Sequence, residues 1–504
     1  MQSIIRVLVV IAIVAFSLRT FSDNKADVDL WGNAGFVQVL PWQAGYHFTN
    51  TYSYTEPDNP WINHEWLGEY LLNRAYQVGG NSGMLLLKMV LGFLVIGLIA
   101  ASMRRQNIAA TVQVLMLLLI VSTMGYGFST RPHHFTYVML ATWMYLLIHP
   151  PRAHRALWVV AAISGVLWAN LHGAYFIGAL VLLVYVVAAL CERRAGGESA
   201  TSRVAPTVAV VALLIFVAAT FINPYGVQLW GFMFQSAAKV RPYLSEWAMF
   251  NPMTHAADHA DFMALATVSC FALVASRAPR GIVWPVILLV AFGFAIAMRR
   301  NIPLFAIVAG FVVPPHLNRL AAPSLERLWS RLAPRAAALV LSAFIVLSLH
   351  TAWSRDKAQP TQIEIPQDRF PVGVMRFMVE NELRGNALIF FDWAEYAIWH
   401  LHPRCKVFLD GRYRSAYGLD AIEAYFGFLY LSEDWDRALT EYPTDMAMVH
   451  VESDVYARMA QLDDTWELIA KDHVAGLFLR RGAHPYLDRA ALRYPAVQTV
   501  ELFP

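Results

Sequence analysis

Long apolar runs, each closed by a short polar segment, repeat along the first 352 residues. The pattern predicts eleven candidate membrane spans. They lie near residues 4–18, 84–101, 108–124, 135–148, 156–170, 174–190, 204–222, 262–276, 282–298, 302–313 and 336–352. Several are shorter than the ~20 residues that an untilted helix needs to cross the hydrocarbon. The 156–190 block is either two short helices or one broken helix, and 302–313 is a candidate re-entrant segment.

The hydrophobic pattern changes after His350. From about residue 366 onward, short helical and strand-like stretches alternate, which is typical of a small α/β domain. The predicted helices are 371–383, 394–400, 419–440 and 453–461, and the predicted strands are 387–391, 406–409 and 445–450, followed by a hairpin near 466–479. We therefore predict a transmembrane domain over 1–352 with a long first loop (20–83), a linker over 353–365, and a soluble α/β domain over 366–504.

Composition supports this class of protein. The 504 residues are 57% hydrophobic and only 15% charged, far more apolar than a soluble core requires. The net charge of +3 is spread over loops rather than gathered on one face, which argues against nucleic acid as a partner. The three cysteines, Cys191, Cys270 and Cys405, are too scattered to indicate a disulfide framework or a metal site.

The arginines predict an orientation, because loops on the cytoplasmic side of a membrane are enriched in Lys and Arg. Alternate loops carry pairs such as Arg104-Arg105 and Arg193-Arg194. With a cytoplasmic N-terminus and an odd number of spans, the first loop and the α/β domain lie outside. The expected location is the cytoplasmic (inner) membrane of a bacterium, where membrane lipids surround the spans.

Two carboxylates, Asp27 and Asp29, follow the first span directly. One of them is a candidate base for an acceptor hydroxyl, or both bind Mg²⁺ or Mn²⁺, which favour carboxylate oxygens. The alternative is a solvated loop with incidental acids. Their position beside the first span favours the catalytic interpretation.

Further polar groups are expected on the same outer side, where buried polar residues near a membrane usually line a cavity or bind one another. His64 and Glu65 are candidate acceptor-binding groups, although Asn63 and Glu65 also suit the start of a helix. The other candidates are Arg131, His133, His134, Asn170, His172, Arg299 and Arg300. The segments 223–226 and 246–247 are also expected at outer ends of spans.

Arginines on the outer side need an anionic partner. Arg299 and Arg300 depart from the inward bias of the other arginines, and Arg131 lies at the start of another span. A donor phosphate is the interpretation we favour for these cations, against a lipid head group or interfacial snorkelling.

The motifs together resemble a group of bacterial integral membrane proteins related to GT-C type glycosyltransferases. The resemblance covers nearly the whole chain and is carried by the segments 27–31, 60–67, 167–173, 223–226, 300–305, 370–373 and 408–412. Relatives often have Trp-His after Asp-Leu-Trp, where this chain has Gly32-Asn33. The Trp-Trp-Asp-Tyr-Gly motif of oligosaccharyltransferases is absent, which argues against whole-glycan transfer to asparagine.

The resemblance implies a GT-C-like fold and a membrane transferase that uses a polyprenyl-phosphate-linked sugar donor on the outer face. It implies a base or metal ligand at Asp27 or Asp29, and we favour Asp29. The acceptor is a glycan, lipid or protein hydroxyl that the sequence does not identify. Two alternatives remain: a polymerase or ligase of surface polysaccharide, and a non-catalytic scaffold that binds a partner through its α/β domain. A transporter is disfavoured because no matched half-repeats occur.

Overall fold

The computed structural model describes residues 2–37, 48–194, 203–238, 243–276, 281–331, 333–354, 359–495 and 500–504. The chain divides into two compact units. The first comprises Met1–Asp23, Met84–Leu229 and Ala237–Pro360, and the second comprises Asn24–Gly83, Trp230–Ser236 and Thr361–Pro504. The predicted linker 353–365 spans the last boundary, and its residues 355–358 lie outside the described residues.

Helices dominate the described ranges. In chain order they are α1 (Gln2–Phe21), α2 (Leu30–Gly35), α3 (Trp66–Arg105), α4 (Ala110–Gly125), α5 (His133–Ile148), α6 (His154–Leu171), α7 (Phe176–Arg194), α8 (Pro206–Thr220), α9 (Gln228–Ala238), α10 (Pro252–His255), α11 (Ala260–Ala275), α12 (Val283–Ala297), α13 (Ile302–Val312), α14 (Pro314–Arg331), α15 (Pro334–Ser354), α16 (Val372–Glu380), α17 (Ala394–Leu401), α18 (Leu419–Leu429), α19 (Arg437–Thr440) and α20 (Asp454–Met459). The strands are β1 (Phe48–Thr49), β2 (Pro60–Trp61), β3 (Glu364–Ile365), β4 (Gly385–Ile389), β5 (Cys405–Val407), β6 (Met446–His450), β7 (Trp466–Lys471), β8 (Ala475–Arg480) and β9 (Glu501–Leu502).

Each predicted apolar run coincides with a helix of the first unit. Four helices in the described ranges are long and apolar enough to cross a membrane: Ser3–Phe21, Trp66–Arg105, Gly173–Arg194 and Pro334–Ser354. The pair Arg299–Val312 and Pro314–Arg331, bent by 63°, makes a fifth if it counts as one span. The predicted number of about eleven spans is therefore not confirmed, because many of the helices are too short by this measure.

One open point of the first unit is resolved, whereas a re-entrant path for 302–313 stays a prediction. The 156–190 block forms two helices, α6 and α7, joined through His172 and a short 3₁₀ helix, Gly173–Tyr175. The run that begins at Ile302 ends at Val312, and the chain continues as α14 after the bend. Every residue of α13 is buried, and it packs against α4, α5 and α12, so this helix forms the centre of the first unit.

The second unit is built on a five-stranded sheet of order β5-β4-β6-β8-β7. β4 runs parallel to β5 and β6, whereas β8 pairs antiparallel with β6 and β7. The first loop adds to this sheet, since Ser53 forms a bridge with Val407 on β5 and the amide of Val407 donates to the carbonyl of Tyr52. The structure thus groups residues 24–83 with the α/β domain, whereas the sequence pattern placed them in the domain 1–352.

Candidate functional site

Asp27 and Asp29 lie at a tight turn that opens α2. The amide of Asp29 donates to Oδ1 of Asp27 (3.1 Å), and the amide of Leu30 donates to the Asp27 carbonyl (3.1 Å). Asp27 therefore shapes the turn with its own side chain, as Asx residues commonly do. Asp29 is partly exposed, so a bound hydroxyl can approach its carboxylate.

Trp31 fixes this turn against the α/β domain. Its ring is 1% exposed and packs on Tyr396 of α17 and on Phe503, with ring centroids 4.6 and 4.7 Å apart. Burial of a tryptophan among aromatic rings is among the most stabilising contacts available to a side chain. The Leu-Trp pair that follows Asp29 thus holds the carboxylate in a defined position.

A second carboxyl group, Glu395, lies beside Asp29. Its Oε2 accepts a hydrogen bond from the amide of Gly32 (3.0 Å), and the residue is only 6% exposed. A Cβ at Gly411 would lie 2.5 Å from Oε1 of Glu395 and 3.3 Å from Oδ1 of Asp29. Both carboxyl groups therefore meet at Gly411, where the absence of a side chain leaves room for them.

Burial raises the pKa of Glu395 well above its usual range, and the charges of Asp29 and Asp410 raise the pKa further. The Gly32 amide and Arg412 oppose this rise. A buried carboxyl near other carboxylates favours its neutral form because ionisation would add a like charge in a poorly solvated place. Glu395 therefore favours its protonated form beside Asp29.

We expect Glu395→Gln to flatten the pH dependence of stability. Because the folded-state pKa of Glu395 is raised, its contribution is fully present below the unfolded-state pKa and is lost as pH rises through the folded-state pKa. The melting temperature of the full-length protein in detergent should fall less from acidic to alkaline pH in this variant than in the wild type. The exposed Glu452, replaced by Gln, is the matched control and should follow the wild type. Equal slopes for wild type and Glu395→Gln would contradict the expectation.

A buried ion pair between Arg412 and Asp410 flanks Gly411 in the chain. Arg412 donates from Nε and from one terminal nitrogen to the two oxygens of Asp410 (2.8 and 2.6 Å), and also to Asn50 (2.6 Å). The Arg412 side chain is 5% exposed and Asp410 is fully buried. The guanidinium lies over the rings of Trp61 (4.7 Å) and Tyr52 (5.2 Å), which come from the first loop. Arg412 thereby joins the first loop to the segment that carries Gly411.

His64 and Glu65 lie just before α3. His64 Nε2 and Glu65 Oε1 are 3.1 Å apart, and the His64 ring lies 5.4 Å from that of Phe232. Oδ1 of Asn63 accepts from the Glu65 amide (3.0 Å), while its amide group donates to the buried Glu69 (2.6 Å). Asn63 thus serves the helix start, and the acceptor-binding role of His64 and Glu65 stays a prediction.

In the first unit, the predicted cations meet at one acidic residue. Arg131 and Arg300 each approach a different oxygen of Glu246, both at 3.3 Å. Arg131 precedes α5, Arg300 lies in the turn before α13, and Glu246 lies on the short 3₁₀ helix Ser245–Trp247. Arg299 directs its guanidinium to the carbonyl of Ser245 instead. The structure therefore brings Arg131 and Arg300 together, as an anion site requires.

The remaining predicted residues bind mainly backbone groups, both in their own turns and in neighbouring segments. His133 donates to the Gly127 carbonyl (2.6 Å) and His134 to the Arg131 carbonyl (2.9 Å). His172 Nδ1 accepts from the Ala174 amide (3.2 Å) and from the Thr136 hydroxyl (2.9 Å). The Asn170 side chain donates to two carbonyls, those of Val166 and Ile222. These contacts shape the turns from which Arg131 projects and at which α6 ends.

Solved structures with the same architecture provide a comparison. ArnT from Cupriavidus metallidurans bound to undecaprenyl phosphate superposes with a TM-score of 0.52 at 13% identity, over 94% of this chain and 97% of that one. The same protein in the apo state gives a TM-score of 0.53 at 13% identity, over 95% and 98% of the two chains. This chain has the GT-C fold.

The predicted GT-C-like fold is thus confirmed by structure. At this level of identity the comparison concerns the fold alone. No protein-family model matches the chain, and no curated protein matches its sequence.

Sequence reasoning missed several charged side chains that are buried in the structure, among them those of Glu395, Arg412 and Lys88. Glu395 lies in the first turn of α17, where an acidic residue is expected in any helix. Arg412 stands within a motif that supported the resemblance but received no role. Lys88 lies in the candidate span Trp66–Arg105, is 3% exposed, and donates to the carbonyl of Asp23. A lysine inside an apolar run is a detectable signal, since charged groups at membrane depth are rare.

Proposed function

We propose that this protein is a membrane glycosyltransferase that moves a sugar from a polyprenyl-phosphate-linked donor to an acceptor hydroxyl. The observation that carries the proposal is the GT-C fold shared with ArnT over nearly the whole chain, since that neighbour was solved with undecaprenyl phosphate bound. The candidate base at Asp29 and the paired arginines of the first unit supply the two kinds of group that such a reaction uses.

The reaction is a displacement at the anomeric carbon of the donor sugar. The acceptor oxygen forms a bond to this carbon while its proton passes to a carboxylate oxygen of Asp29. The bond between the anomeric carbon and the phosphate oxygen breaks, and its electron pair stays on the lipid phosphate. Asp29 afterwards releases the proton to water. A positioned carboxylate is a suitable base because the hydroxyl proton becomes acidic only as the new bond forms.

Leaving-group stabilisation is the second requirement. The lipid phosphate gains negative charge as the bond breaks, and fixed cations lower the free energy of that state more than they lower that of the bound donor. Arg131 and Arg300, which converge on the Glu246 carboxylate, are assigned this role.

A divalent cation is not needed to write this reaction. Within the described ranges, no three His, Cys, Asp or Glu side chains form a group suited to hold a metal ion. In the turn at Asp27, one carboxylate oxygen already accepts from the Asp29 amide. Binding of Mg²⁺ or Mn²⁺ by Asp27 and Asp29 therefore stays a prediction.

The lipid-linked sugars of a strain that lacks the gene test the function. Loss of a transferase should cause its unused polyprenyl-phosphate sugar to accumulate, and a plasmid copy of the wild-type gene should reverse the accumulation. Accumulation of diphosphate-linked repeat units would instead indicate a polymerase or ligase. An unchanged profile of both lipid-linked sugars and mature glycans would leave only the scaffold interpretation.

The proposed location is a bacterial inner membrane with the C-terminal α/β domain outside the cytoplasm. We expect a reporter fused after Ala352 to behave as extracytoplasmic: alkaline phosphatase should be active there, and a fluorescent protein that fails to mature outside the cytoplasm should be dark. A fusion after Gln106, in a predicted inner loop, should give the opposite pair of signals. A cytoplasmic signal after Ala352 would rule out the proposed orientation.

A further inference from the structure

A cavity of about 170 Å³ opens in the first unit, at the end of α5 that lies away from Arg131. Because α5 has 16 residues and is therefore about 24 Å long, the cavity is separate from the arginines described above. One buried water needs only about 10–15 Å³, so the cavity can hold a much larger group. Its lining comes from the turn after α5, the first turn of α6 and the segment before α8: Pro150, Pro151, His154, Leu157, Arg203 and Val204.

The walls of this cavity belong to the packed framework of the first unit. Leu157, in the first turn of α6, is 1% exposed. The Val204 amide donates to the Tyr185 hydroxyl (2.9 Å), which in turn donates to the Val204 carbonyl (3.1 Å). Both main-chain groups of Val204 are thus bound inside the unit, and they hold Arg203 beside the cavity. The two prolines of the lining restrict the backbone of the turn after α5.

The polar part of the lining consists of hydrogen-bond donors. Arg203 and His154 both line the cavity, and both side chains are exposed, so a ligand can reach them from outside. A guanidinium stays charged at every physiological pH and presents several N–H groups to an oxyanion. Within the ranges that the structure describes, no carboxylate forms an ion pair with either side chain. The cavity therefore offers a cation to an anion that the protein itself does not supply.

The surroundings add further positive charge. Neither 149–155 nor 203–205, the two segments beside the cavity, contains an aspartate or a glutamate. Arg152 and Arg155 stand on either side of His154 in the sequence, and both are exposed. Charges this near the cavity act on a bound anion, because screening by salt becomes large only beyond about 8–10 Å.

We propose that this cavity binds the phosphate group of an anionic phospholipid, with the Arg203 guanidinium and the His154 imidazole as its donors. The apolar walls favour a lipid over free phosphate, since they can cover the glyceryl carbons and the first methylenes of a lipid but gain nothing from a bare ion. In the proposed orientation this end of α5 is cytoplasmic, where basic pockets between helices commonly bind anionic head groups. The inference involves neither Asp29 nor Arg131 and Arg300, so it does not depend on the proposed transfer reaction.

Native mass spectrometry of the full-length protein in detergent tests the site. The probes are dioleoyl phosphatidylglycerol, its zwitterionic counterpart dioleoyl phosphatidylcholine, and inorganic phosphate as a competitor. We expect the wild type to bind the first phosphatidylglycerol about ten-fold more tightly than phosphatidylcholine. Arg203→Gln should weaken phosphatidylglycerol about five-fold, the effect of one arginine near an anionic lipid, and should leave phosphatidylcholine nearly unchanged.

Three further variants make the result specific. Arg203→Lys, which keeps the charge, should retain most of the wild-type affinity. His154→Leu removes the other donor and should weaken phosphatidylglycerol about three-fold, which keeps the proposal testable if Arg203→Gln fails to fold. Arg335→Gln is the matched control, because Arg335 is an exposed arginine at the start of α15 that does not line the cavity. This variant should bind both lipids as the wild type does.

The outcomes decide both the site and its occupant. If folded Arg203→Gln binds phosphatidylglycerol as tightly as the wild type, or if the wild type does not prefer it to phosphatidylcholine, the proposal is wrong. An equal loss in Arg335→Gln would also overturn it, because the effect would then come from general surface charge. Inorganic phosphate that displaces the lipid from the wild type, and itself fails to bind Arg203→Gln, would support the phosphate site and assign it to the free ion.

Discussion

Asp29→Asn is expected to slow sugar transfer by roughly 10²- to 10⁴-fold, the usual contribution of a general base. Asparagine has nearly the shape of aspartate but cannot accept the acceptor proton at neutral pH. The Trp31 contacts that hold the turn do not involve the lost charge, so the protein should still fold and insert. The measurement is the rate at which membranes from a complemented deletion strain consume the accumulated lipid-linked sugar.

Asp27→Asn is the matched control for this experiment. Oδ1 of Asp27 accepts the Asp29 amide, and the Oδ1 of asparagine can accept the same hydrogen bond, so the turn should persist. We expect the rate of transfer to stay near the wild-type value. A severe loss in Asp27→Asn with an active Asp29→Asn would move the base to Asp27. Full activity in both variants, at normal amounts of inserted protein, would exclude a base from this turn.

Local patterns in the sequence predicted the helices and strands well. Apolar runs predicted the helices of the first unit, and the predicted hairpin near 466–479 corresponds to β7 and β8. Within the described part of the second unit, the predicted helix 419–440 is interrupted and forms α18 and α19. Leu431, after the end of α18, adopts a positive φ of 51°, which no feature of its side chain favours. Such a break depends on tertiary packing.

The candidate site was harder to predict because its parts are distant in sequence. Asp29 was identified from its place after the first span, but its neighbour Glu395 contacts Gly32 across 363 positions. The hydrophobic periodicity of a sequence predicts local helices and strands, but it does not predict such a long-range contact. Gly32 and Gly411 are visible in the sequence and are required by this contact, since a side chain at either position would collide with the Glu395 carboxyl group. Their meaning became clear only with the backbone in place.

The charge pattern of the sequence identified the outer arginines but did not identify the acidic residue that binds them. The inward bias of the other arginines singled out Arg299 and Arg300, yet in the described structure only Arg300 of this pair approaches the Glu246 carboxylate with Arg131. Arg299 instead binds the carbonyl of Ser245. Adjacent side chains in a 3₁₀ turn point in different directions. Arg299 and Arg300 therefore have different partners, although the sequence pattern singled out both equally.

Arg412→Ala is expected to destabilise the second unit by about 3–5 kcal/mol, the usual cost of leaving one member of a buried ion pair without its partner. Asp410 is fully buried and receives two hydrogen bonds from Arg412. The change also removes the guanidinium from the faces of Trp61 and Tyr52. Arg412→Lys should restore only part of the stability, because an ammonium group lacks the planar, two-pronged geometry that matches a carboxylate.

Cys405 offers a probe of this unit alone. It is buried on β5, whereas Cys191 and Cys270 are exposed. With both exposed cysteines replaced by serine, labelling of Cys405 by a thiol reagent requires local opening of the second unit. If the second unit closes faster than the reagent labels Cys405, a loss of about 3–5 kcal/mol in the free energy of opening accelerates labelling by roughly 10²- to 10⁴-fold.

A surface arginine and a double variant complete the test of Arg412. Arg437 binds Asp420 and Glu441 on the surface of the same unit, so Arg437→Ala should label at nearly the wild-type rate. Replacing Asp410 together with Arg412 removes the unpaired carboxylate. The double variant should therefore lose less stability than the sum of the losses in the two single variants. Labelling of Arg412→Ala at the wild-type rate would mean that the ion pair does not hold the first loop on the α/β domain. The position of Asp29 would then rest on other contacts, such as those of Trp31 and the hydrogen bond from Gly32 to Glu395.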